Sequence, residues 1–155
     1  KKVAQYSKSF GMKVLVYDIN KIRPSKSISF ANLNKLLATS DIISVNVKLN
    51  PSSKNMISYE QVSKMKKGAI FVNTSRGGIV SSNALIKGLK NGKISSIGID
   101  VCNEEYSSIH LPNDPLIIKS FTDKRIIVTP HAGGATHDAH NIVFKQLSAL
   151  ISKKL

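Results

Sequence analysis

Polar side chains that could do chemistry fall at or just after the ends of several predicted strands. They belong to Asp18, Asn46, the segment Thr74-Ser75-Arg76, Asp100 and His131. The Arg76 guanidinium could hold a carboxylate through two parallel hydrogen bonds. Gly77 and Gly78, which follow it, would let the backbone approach a ligand closely. Taken alone, Arg76 could equally be a surface arginine in a turn.

His131 follows the last predicted strand, directly after Thr129-Pro130. A histidine at the mouth of a strand can donate or accept a proton near neutral pH. A carboxylate on its far nitrogen would orient the ring and raise its pKa. Glu104 and Glu105, in the preceding loop, are the candidates for that carboxylate. Packing or capping is the alternative role for a single histidine.

Asp18 ends a short strand that follows a helix closed by Gly11. An acid at this place in a dinucleotide-binding fold accepts hydrogen bonds from the adenosine ribose hydroxyls and repels a 2′-phosphate. The position therefore predicts NAD rather than NADP. Turn formation by the aspartate is the alternative reading of the same residue.

Strands and short helices are predicted to alternate along the chain. Strands are expected at residues 13–18, 27–30, 41–47, 69–73, 96–101 and 126–129, and helices at residues 2–10, 33–39, 59–65, 83–90 and 136–155. A long polar loop containing Pro112 and Pro115 is expected before the last strand. Alternation of this kind indicates βαβ units and a mostly parallel sheet, with ligands at the carboxyl ends of the strands.

Composition fits one globular domain, since 41% of the 155 residues are hydrophobic. The apolar runs are too short for a transmembrane helix, and the single cysteine, Cys102, excludes a disulfide framework, so we expect a cytoplasmic protein without membrane contact. The formal net charge of +14 comes without a long basic run and with only 6% aromatic residues. We therefore expect a lysine-rich surface and no specific nucleic-acid partner, with a polyanion-binding module as an alternative function.

The sequence as a whole resembles the NAD-binding domain of the D-isomer-specific 2-hydroxyacid dehydrogenases, in particular the phosphoglycerate dehydrogenase branch. The matching stretches are residues 10–18, 36–45, 65–80, 89–94, 98–101 and 129–136, in the family's order. Two of their segments are specific, Asn-Thr-Ser-Arg-Gly-Gly at 73–78 and Thr-Pro-His-Ala-Gly-Gly-Ala-Thr at 129–136.

The resemblance implies an NAD-dependent oxidoreductase that interconverts a D-2-hydroxy acid and a 2-oxo acid by hydride transfer. Arg76 would bind the substrate's carboxylate and 2-oxo oxygen, His131 would be the acid and base, and Glu105 would support His131, with Glu104 as second choice. The family also implies a homodimer, and we expect no metal. The residues expected to bind NAD are Asp18, Asn46, Thr74, Ser75, Arg76, Asp100, His131, Gly133 and Gly134.

Departures from the family pattern fall around the expected site. Tyr106 stands where a proline usually follows the catalytic glutamate, Cys102 replaces a common phenylalanine, and Asn46 replaces a common histidine. The Gly-rich pyrophosphate loop and first strand do not occur, so the resemblance implies an incomplete, doubly wound Rossmann-type parallel sheet. We therefore expect residues 1–155 to be a partial NAD-binding domain without a substrate domain. We expect such a chain alone to fold poorly and to be inactive.

Two further alternatives stay open at this stage. The carboxy-terminal binding protein corepressors share the Arg/Glu/His set, so a non-catalytic NAD-binding role is possible. A metal site from His131, His137, Asp138 and His140 is disfavoured, because histidine pairs at helix starts are common on surfaces.

Overall fold

Strands and helices alternate along the chain, as the sequence pattern predicts. The structure is a computed structural model, and it describes residues 2–20, 28–103 and 113–152. Its helices are α1 (Lys2–Ser9), α2 (Leu33–Thr39), α3 (Tyr59–Lys64), α4 (Ser82–Lys90), α5 (Pro115–Ser120) and α6 (His137–Ile151). Its strands are β1 (Leu15–Val16), β2 (Ser29–Phe30), β3 (Ile42–Val45), β4 (Ala69–Asn73), β5 (Ile94–Ile99) and β6 (Ile126–Val128).

The strands form two separate parallel sheets. One has four strands in the order β3-β4-β5-β6, and the other pairs β1 with β2. The expected α/β fold with an incomplete Rossmann-type parallel sheet is confirmed. The strand that would join β1 to β3 in such a sheet has no counterpart among the described residues, and β1 and β3 each keep one unpaired edge.

The hydrophobic core lies between the four-stranded sheet and the helices that connect its strands. Its largest fully buried side chains include Leu37, Phe71, Leu85 and Ile97. All members of this cluster fall between Leu37 and Ile126. None of the described side chains of α1, β1, β2 or α6 is buried. The core therefore supports the part of the chain that carries β3 to β6.

Side chains at the helix starts fix most of the element boundaries. Asn32 caps α2 by accepting a hydrogen bond from the Lys35 N–H at 2.8 Å, as predicted. The helix predicted from Asn83 begins instead at Ser82, because the Ser81 hydroxyl accepts from the Ala84 N–H and makes Ser81 the cap.

One helix replaces part of the predicted polar loop. α5 begins at Pro115, directly after Asp114, whose carboxylate accepts from the Leu116 N–H at 2.8 Å. A proline in the first helical turn loses no intrahelical hydrogen bond, since that N–H would have no partner there. The prediction of a continuous loop is therefore wrong for this segment. None of the helices in the described ranges has the length and apolar character needed to cross a bilayer.

Candidate functional site

Three of the predicted site residues follow consecutive strands of the four-stranded sheet. Arg76 comes after β4, Asp100 after β5 and His131 after β6. The Asp100 N–H donates to the Asn73 carbonyl at 3.0 Å, and the Thr129 N–H donates to the Ile99 carbonyl at 2.9 Å. Because neighbouring strands lie about 4.8 Å apart, the segments that carry Arg76 and His131 are separated by roughly 10 Å across one sheet edge.

The turn that carries Arg76 is organised by a buried amide. Asn73 is 2% exposed, and its Nδ2 donates to the Arg76 carbonyl at 3.0 Å while its Oδ1 accepts from the Ser75 N–H at 3.0 Å. The Ser75 hydroxyl donates a short hydrogen bond to the Val47 carbonyl and ties the turn to the end of β3. The Arg76 side chain is exposed, with Nη1 donating to the Ser75 carbonyl at 2.6 Å. A guanidinium group on a turn held in this way can bind an anion from solvent.

Gly77 lets two backbone segments touch directly behind Arg76. A Cβ at Gly77 would overlap the carbonyl group of Cys102 and lie 2.5 Å from the Asn103 nitrogen. The turn after β4 therefore packs on the chain that leaves β5, and both lie at the carboxyl edge of the sheet.

The Asp100 carboxylate holds the turn that contains His131. It is 7% exposed, and it accepts from the Thr129 hydroxyl and from the N–H groups of Ala132 and Gly133, both at 2.9 Å. Burial raises the pKa of this carboxyl, but the hydrogen bonds from Thr129, Gly133 and Ala132, with nearby His131, outweigh it and lower the net pKa below 3.8. Asp100 therefore stays ionised at neutral pH.

His131 occupies an unusual backbone conformation within this turn. Its φ of 54° lies in the left-handed region, which costs free energy for a residue with a Cβ. Its N–H donates to the Thr129 carbonyl at 3.0 Å, and its side chain is half-buried. Gly133 is required nearby, because a Cβ there would lie 2.9 Å from Asp100 Oδ2. These contacts therefore hold His131 in its strained backbone conformation and fix the position from which its side chain extends.

Two of the predicted cofactor residues lie at other strand ends. Asp18 follows β1 in the two-stranded sheet, where it is exposed and accepts from the Asn20 N–H at 2.8 Å. This is the turn role weighed as the alternative. Asn46 follows β3, and its Nδ2 donates to the Ser44 carbonyl and hydroxyl at 3.2 and 3.0 Å.

Of the remaining predicted residues, two are exposed at the carboxyl edge of the four-stranded sheet. Two others lie outside the residues that the structure describes. Thr74 and Gly134 are exposed at the edge that carries Arg76 and His131. Glu104 and Glu105 lie outside the described residues. Within the described ranges, no three His, Cys, Asp or Glu side chains lie together as metal ligands would, and His137 Nδ1 is hydrogen-bonded to the Asn141 amide at 3.0 Å.

The residues of this edge fit a dinucleotide by their chemistry. An exposed acid, Asp18, follows β1, whereas exposed Thr74 follows β4 and the open backbone at Gly134 follows β6. No atom of the described residues lies within 4 Å of a Cβ built at Gly134, so the backbone there presents open space to a ligand. Hydroxyl and glycine-backbone donors of this kind suit the polar groups of a dinucleotide.

Sequence reasoning missed two residues that shape the site. Asn73 was read as the end of a buried strand, and Thr129 as part of the last strand. A polar residue closing an otherwise apolar run, as in Ala-Ile-Phe-Val-Asn at 69–73, is the signal that could have marked Asn73. No local signal marks Thr129, because its partner Asp100 lies on a different strand.

Comparison with known proteins gives consistent matches. A family model described as D-isomer specific 2-hydroxyacid dehydrogenase, NAD binding domain, matches residues 1–133. The chain is 39% identical over 147 residues to a glycerate dehydrogenase of Methylorubrum extorquens, covering 95% of this chain and 44% of that protein. It is 37% identical over 141 residues to a D-3-phosphoglycerate dehydrogenase of Haemophilus influenzae, covering 90% of this chain and 34% of that protein.

A solved structure matches over the same length. A D-lactate dehydrogenase from Aquifex aeolicus, crystallised with NAD and lactic acid, superposes with a TM-score of 0.85 at 31% identity, covering 97% of this chain and 48% of that chain. The chain spans less than half the length of each of these relatives.

Proposed function

Since the chain belongs to the D-isomer specific 2-hydroxyacid dehydrogenase family, we propose that it supplies the NAD-binding and proton-transfer part of an enzyme that interconverts a D-2-hydroxy acid and a 2-oxo acid. The observation that carries the proposal is the alignment of Arg76, Asp100 and His131 on the ends of three consecutive strands. A substrate at this edge would lie near the Arg76 guanidinium, the Asp100 carboxylate and the His131 imidazole, whose backbone segments span roughly 10 Å, or two spacings between neighbouring strands.

Each of these side chains has a chemical task in the proposed reaction. Arg76 binds the substrate carboxylate and the 2-oxo oxygen through its exposed fork. His131 donates a proton to that oxygen in reduction and removes the hydroxyl proton in oxidation. NAD, when bound, supplies the hydride acceptor or donor. The positive charges of Arg76 and protonated His131 stabilise the negative charge that develops on the oxygen.

Asp100 acts as a positioning residue in this scheme. Its three hydrogen bonds hold the turn at residues 129–133, so the His131 backbone is fixed before substrate arrives. Glu105 remains our candidate for the group that supports the imidazolium, with Glu104 as second choice. The substrate is proposed as a class, a small 2-hydroxy or 2-oxo acid, and the assembly as a homodimer.

Cofactor binding can be tested on protein that carries this chain. Titration calorimetry with NAD⁺ and NADP⁺ should show tighter binding of NAD⁺, because the Asp18 carboxylate repels a 2′-phosphate. Asp18→Ala should weaken NAD⁺ binding and reduce the difference in affinity between NAD⁺ and NADP⁺. Asp138 is an exposed acid on α6, and Asp138→Ala should leave both affinities unchanged. Equal affinity of the unmodified chain for the two cofactors would contradict the role of Asp18.

Turnover is tested by NADH consumption with a panel of 2-oxo acids, using protein that carries this chain. His131→Asn and Arg76→Gln should each lower kcat/KM by at least about 100-fold, as expected for loss of a proton donor or a charge-stabilising cation. The matched controls are His140→Asn, an exposed histidine on α6, and Lys90→Gln, an exposed cation at the opposite edge of the sheet. NAD binding without turnover on any substrate would favour the non-catalytic alternative over the dehydrogenase.

A further inference from the structure

A row of positive side chains lines the amino edge of the four-stranded sheet, opposite the edge just described. α3, α4 and α5 end within a few residues of the strands that follow them, so their last turns and connecting segments meet at this edge. We call this set the basic rim, and its members are Lys64, Lys66, Lys67, Lys87, Lys90, Lys93, Lys119, Lys124 and Arg125.

Hydrogen bonds show that the three segments of the basic rim are continuous. Lys93 Nζ donates to the Met65 carbonyl at 2.9 Å, which joins the segment after α4 to the end of α3. Arg125 Nη1 donates to the Leu89 carbonyl at 3.4 Å, which joins the segment before β6 to the end of α4. The cations therefore form one surface that crosses three neighbouring strands, a span of roughly 10 Å between the outer strands plus the width of the flanking segments.

Carboxylates neutralise only part of this surface. Within the described residues, Glu60, Asp41 and Asp123 are the acids at this edge, paired with Lys64 at 2.6 Å, Lys66 at 2.5 Å and Arg125 at 2.8 Å. Nine cations against three carboxylates leave a net of six positive charges.

Helix dipoles do not account for the remaining excess. Cations near a helix C-terminus are stabilised by its partial negative charge, equivalent to about −0.5 for each helix. The four helices that end at this edge, α2 to α5, would offset about two charges, so roughly four remain. Lys67, Lys90 and Lys124 are exposed, and the described part of the chain gives them no ion pair.

The carboxyl edge shows no such excess. Among the described residues there, Lys48, Lys54 and Arg76 face Asp100 and Asp114, which leaves a net of only one positive charge. Nine of the 17 cations that the described ranges contain thus lie on the basic rim. About half of the positive charge in the described ranges therefore lies at the edge opposite the proposed cofactor and substrate site.

We propose that the basic rim binds the phosphodiester backbone of duplex nucleic acid without reading its sequence. Duplex DNA presents one negative charge per about 1.7 Å of its axis, so a short row of lysines can meet several phosphates at once. Lysine is a flexible point charge suited to the backbone rather than to base edges. Single-strand stacking is disfavoured, because Tyr59, the aromatic ring beside α4 on this surface, has Lys87 Nζ 5.3 Å from its centroid.

An anionic membrane is the competing partner. Ile118 on α5 and Phe121 directly after it are exposed, but they lie at one end of the basic rim and α5 has only six residues. A membrane-bound helix needs a continuous apolar face beside its cations. The basic rim instead continues past α5 along α4 and α3, which favours a linear polyanion.

The test measures binding of a fluorescent 20-base-pair duplex of random sequence by anisotropy over a salt series. The triple variant Lys67→Gln, Lys90→Gln, Lys124→Gln removes three exposed cations of the basic rim. A control variant, Lys8→Gln, Lys54→Gln, Lys145→Gln, removes the same charge from exposed positions elsewhere. Circular dichroism must show the same secondary structure in all three proteins.

The rim variant should weaken binding at least about tenfold near 0.1 M salt and reduce the slope of log K against log salt by about 0.9 for each lysine that contacts a phosphate. The control should change affinity less than about threefold. Equal losses in both variants would overturn the proposal, since binding would then follow total charge. Tighter binding to phosphatidylserine vesicles than to the duplex, at equal phosphate concentration, would also overturn it. The test needs neither NAD nor substrate, so its outcome is independent of the proposed dehydrogenase function.

Discussion

At the residue scale, the Asp100 carboxylate connects three separate points of the turn that carries His131. Asp100→Asn would place an amide NH₂ against either the Ala132 or the Gly133 N–H, because the carboxylate accepts from both. We expect a loss of about 1–3 kcal/mol in the free energy of unfolding, the usual cost of an unsatisfied buried hydrogen-bonding group. Urea denaturation measures it. Asp41→Asn, which breaks an exposed ion pair with Lys66, should cost less than about 1 kcal/mol.

The same carboxylate predicts how stability depends on pH. Because folding lowers the pKa of Asp100, its contribution is fully present above the ordinary value of 3.8 and is lost as the pH falls through the lower folded value. The stability gap between the unmodified protein and Asp100→Asn should therefore shrink below about pH 4. Denaturation midpoints measured from pH 6 downward would show this. A gap that stays constant in acid would mean that Asp100 is not held ionised by these hydrogen bonds.

The left-handed backbone at His131 gives a second prediction at this scale. Asparagine tolerates a φ near 54°, whereas a β-branched residue does not. His131→Val should therefore be less stable than His131→Asn by about 1–2 kcal/mol, measured by thermal or urea unfolding. Equal stability of the two variants would indicate that the turn relaxes out of this conformation.

Sequence reasoning could place Arg76, Asp100 and His131 at strand ends, because strand ends follow from hydrophobic patterning. It could not assign the partners of Asn73 or Asp100. Asn73 binds back to its own turn, and Asp100 accepts from Thr129, which is 29 positions later in the chain. That contact depends on the register between β5 and β6, which a single sequence does not specify.

At the element scale, Gly77 determines how closely two loops at the carboxyl edge can pack. Gly77→Ala would drive a methyl group into the Cys102 carbonyl, and backbone atoms on both sides leave little room for adjustment. We expect a loss of at least about 2–3 kcal/mol in unfolding free energy, at the upper end of overpacking costs. Gly134→Ala is the matched control, since its Cβ would meet nothing within 4 Å. Similar stabilities for the two variants would contradict the close contact.

Gly88 lies inside α4, where alanine usually adds about 1 kcal/mol of helix stability. Here its Cβ would lie 2.7 Å from Val62 Cγ1 and 2.8 Å from Ile94 Cδ1. Ile94 can rotate, but Val62 is stiff at χ1 and buried in α3. We therefore expect Gly88→Ala to destabilise the protein by about 1–2 kcal/mol despite its helix propensity, as judged by urea denaturation. A stabilising effect would mean that α3 and α4 can move apart freely.

Most elements could be predicted from periodicity and capping residues, as at Asn32 for α2 and Gly11 after α1. α5 could not, because it has only six residues and begins at a proline, a residue that is also typical of loops. The signal was present in Asp114-Pro115, where a cap precedes a proline in the first turn. Short helices depend on such local contacts more than on an apolar stripe.

At the scale of the whole molecule, the core covers only part of the chain. All buried apolar residues of the core cluster lie between Leu37 and Ile126, whereas Val3, Tyr6 and Phe10 on and after α1 are more than half exposed. Amides of β4 and β5 should therefore exchange with deuterium far more slowly than those of α1 and β1. Native-state exchange measured by NMR or mass spectrometry tests this. Uniform protection along the chain would show that the two sheets unfold as one unit.

The α/β class and the division of the sheet were predictable because strand order in this fold follows from the family resemblance. The extent of the exposed apolar surface was not, since it depends on which faces of α1 and α6 find neighbours. Phe144 on α6 is 67% exposed and Phe10 is 80% exposed, although both have the spacing of core residues. Helical periodicity shows which face is apolar but not whether another element covers it.

The separation of the two sheets has a consequence for ligand binding. Asp18 follows a strand of one sheet, and Arg76, Asp100 and His131 follow strands of the other; within the described residues no strand pairing joins the two sheets. A dinucleotide that contacted both sheets would hold them in one relative orientation. Part of the binding free energy of the dinucleotide would be used to fix the orientation of one sheet relative to the other. Any contact that fixed this orientation before binding would therefore raise the apparent affinity for the dinucleotide.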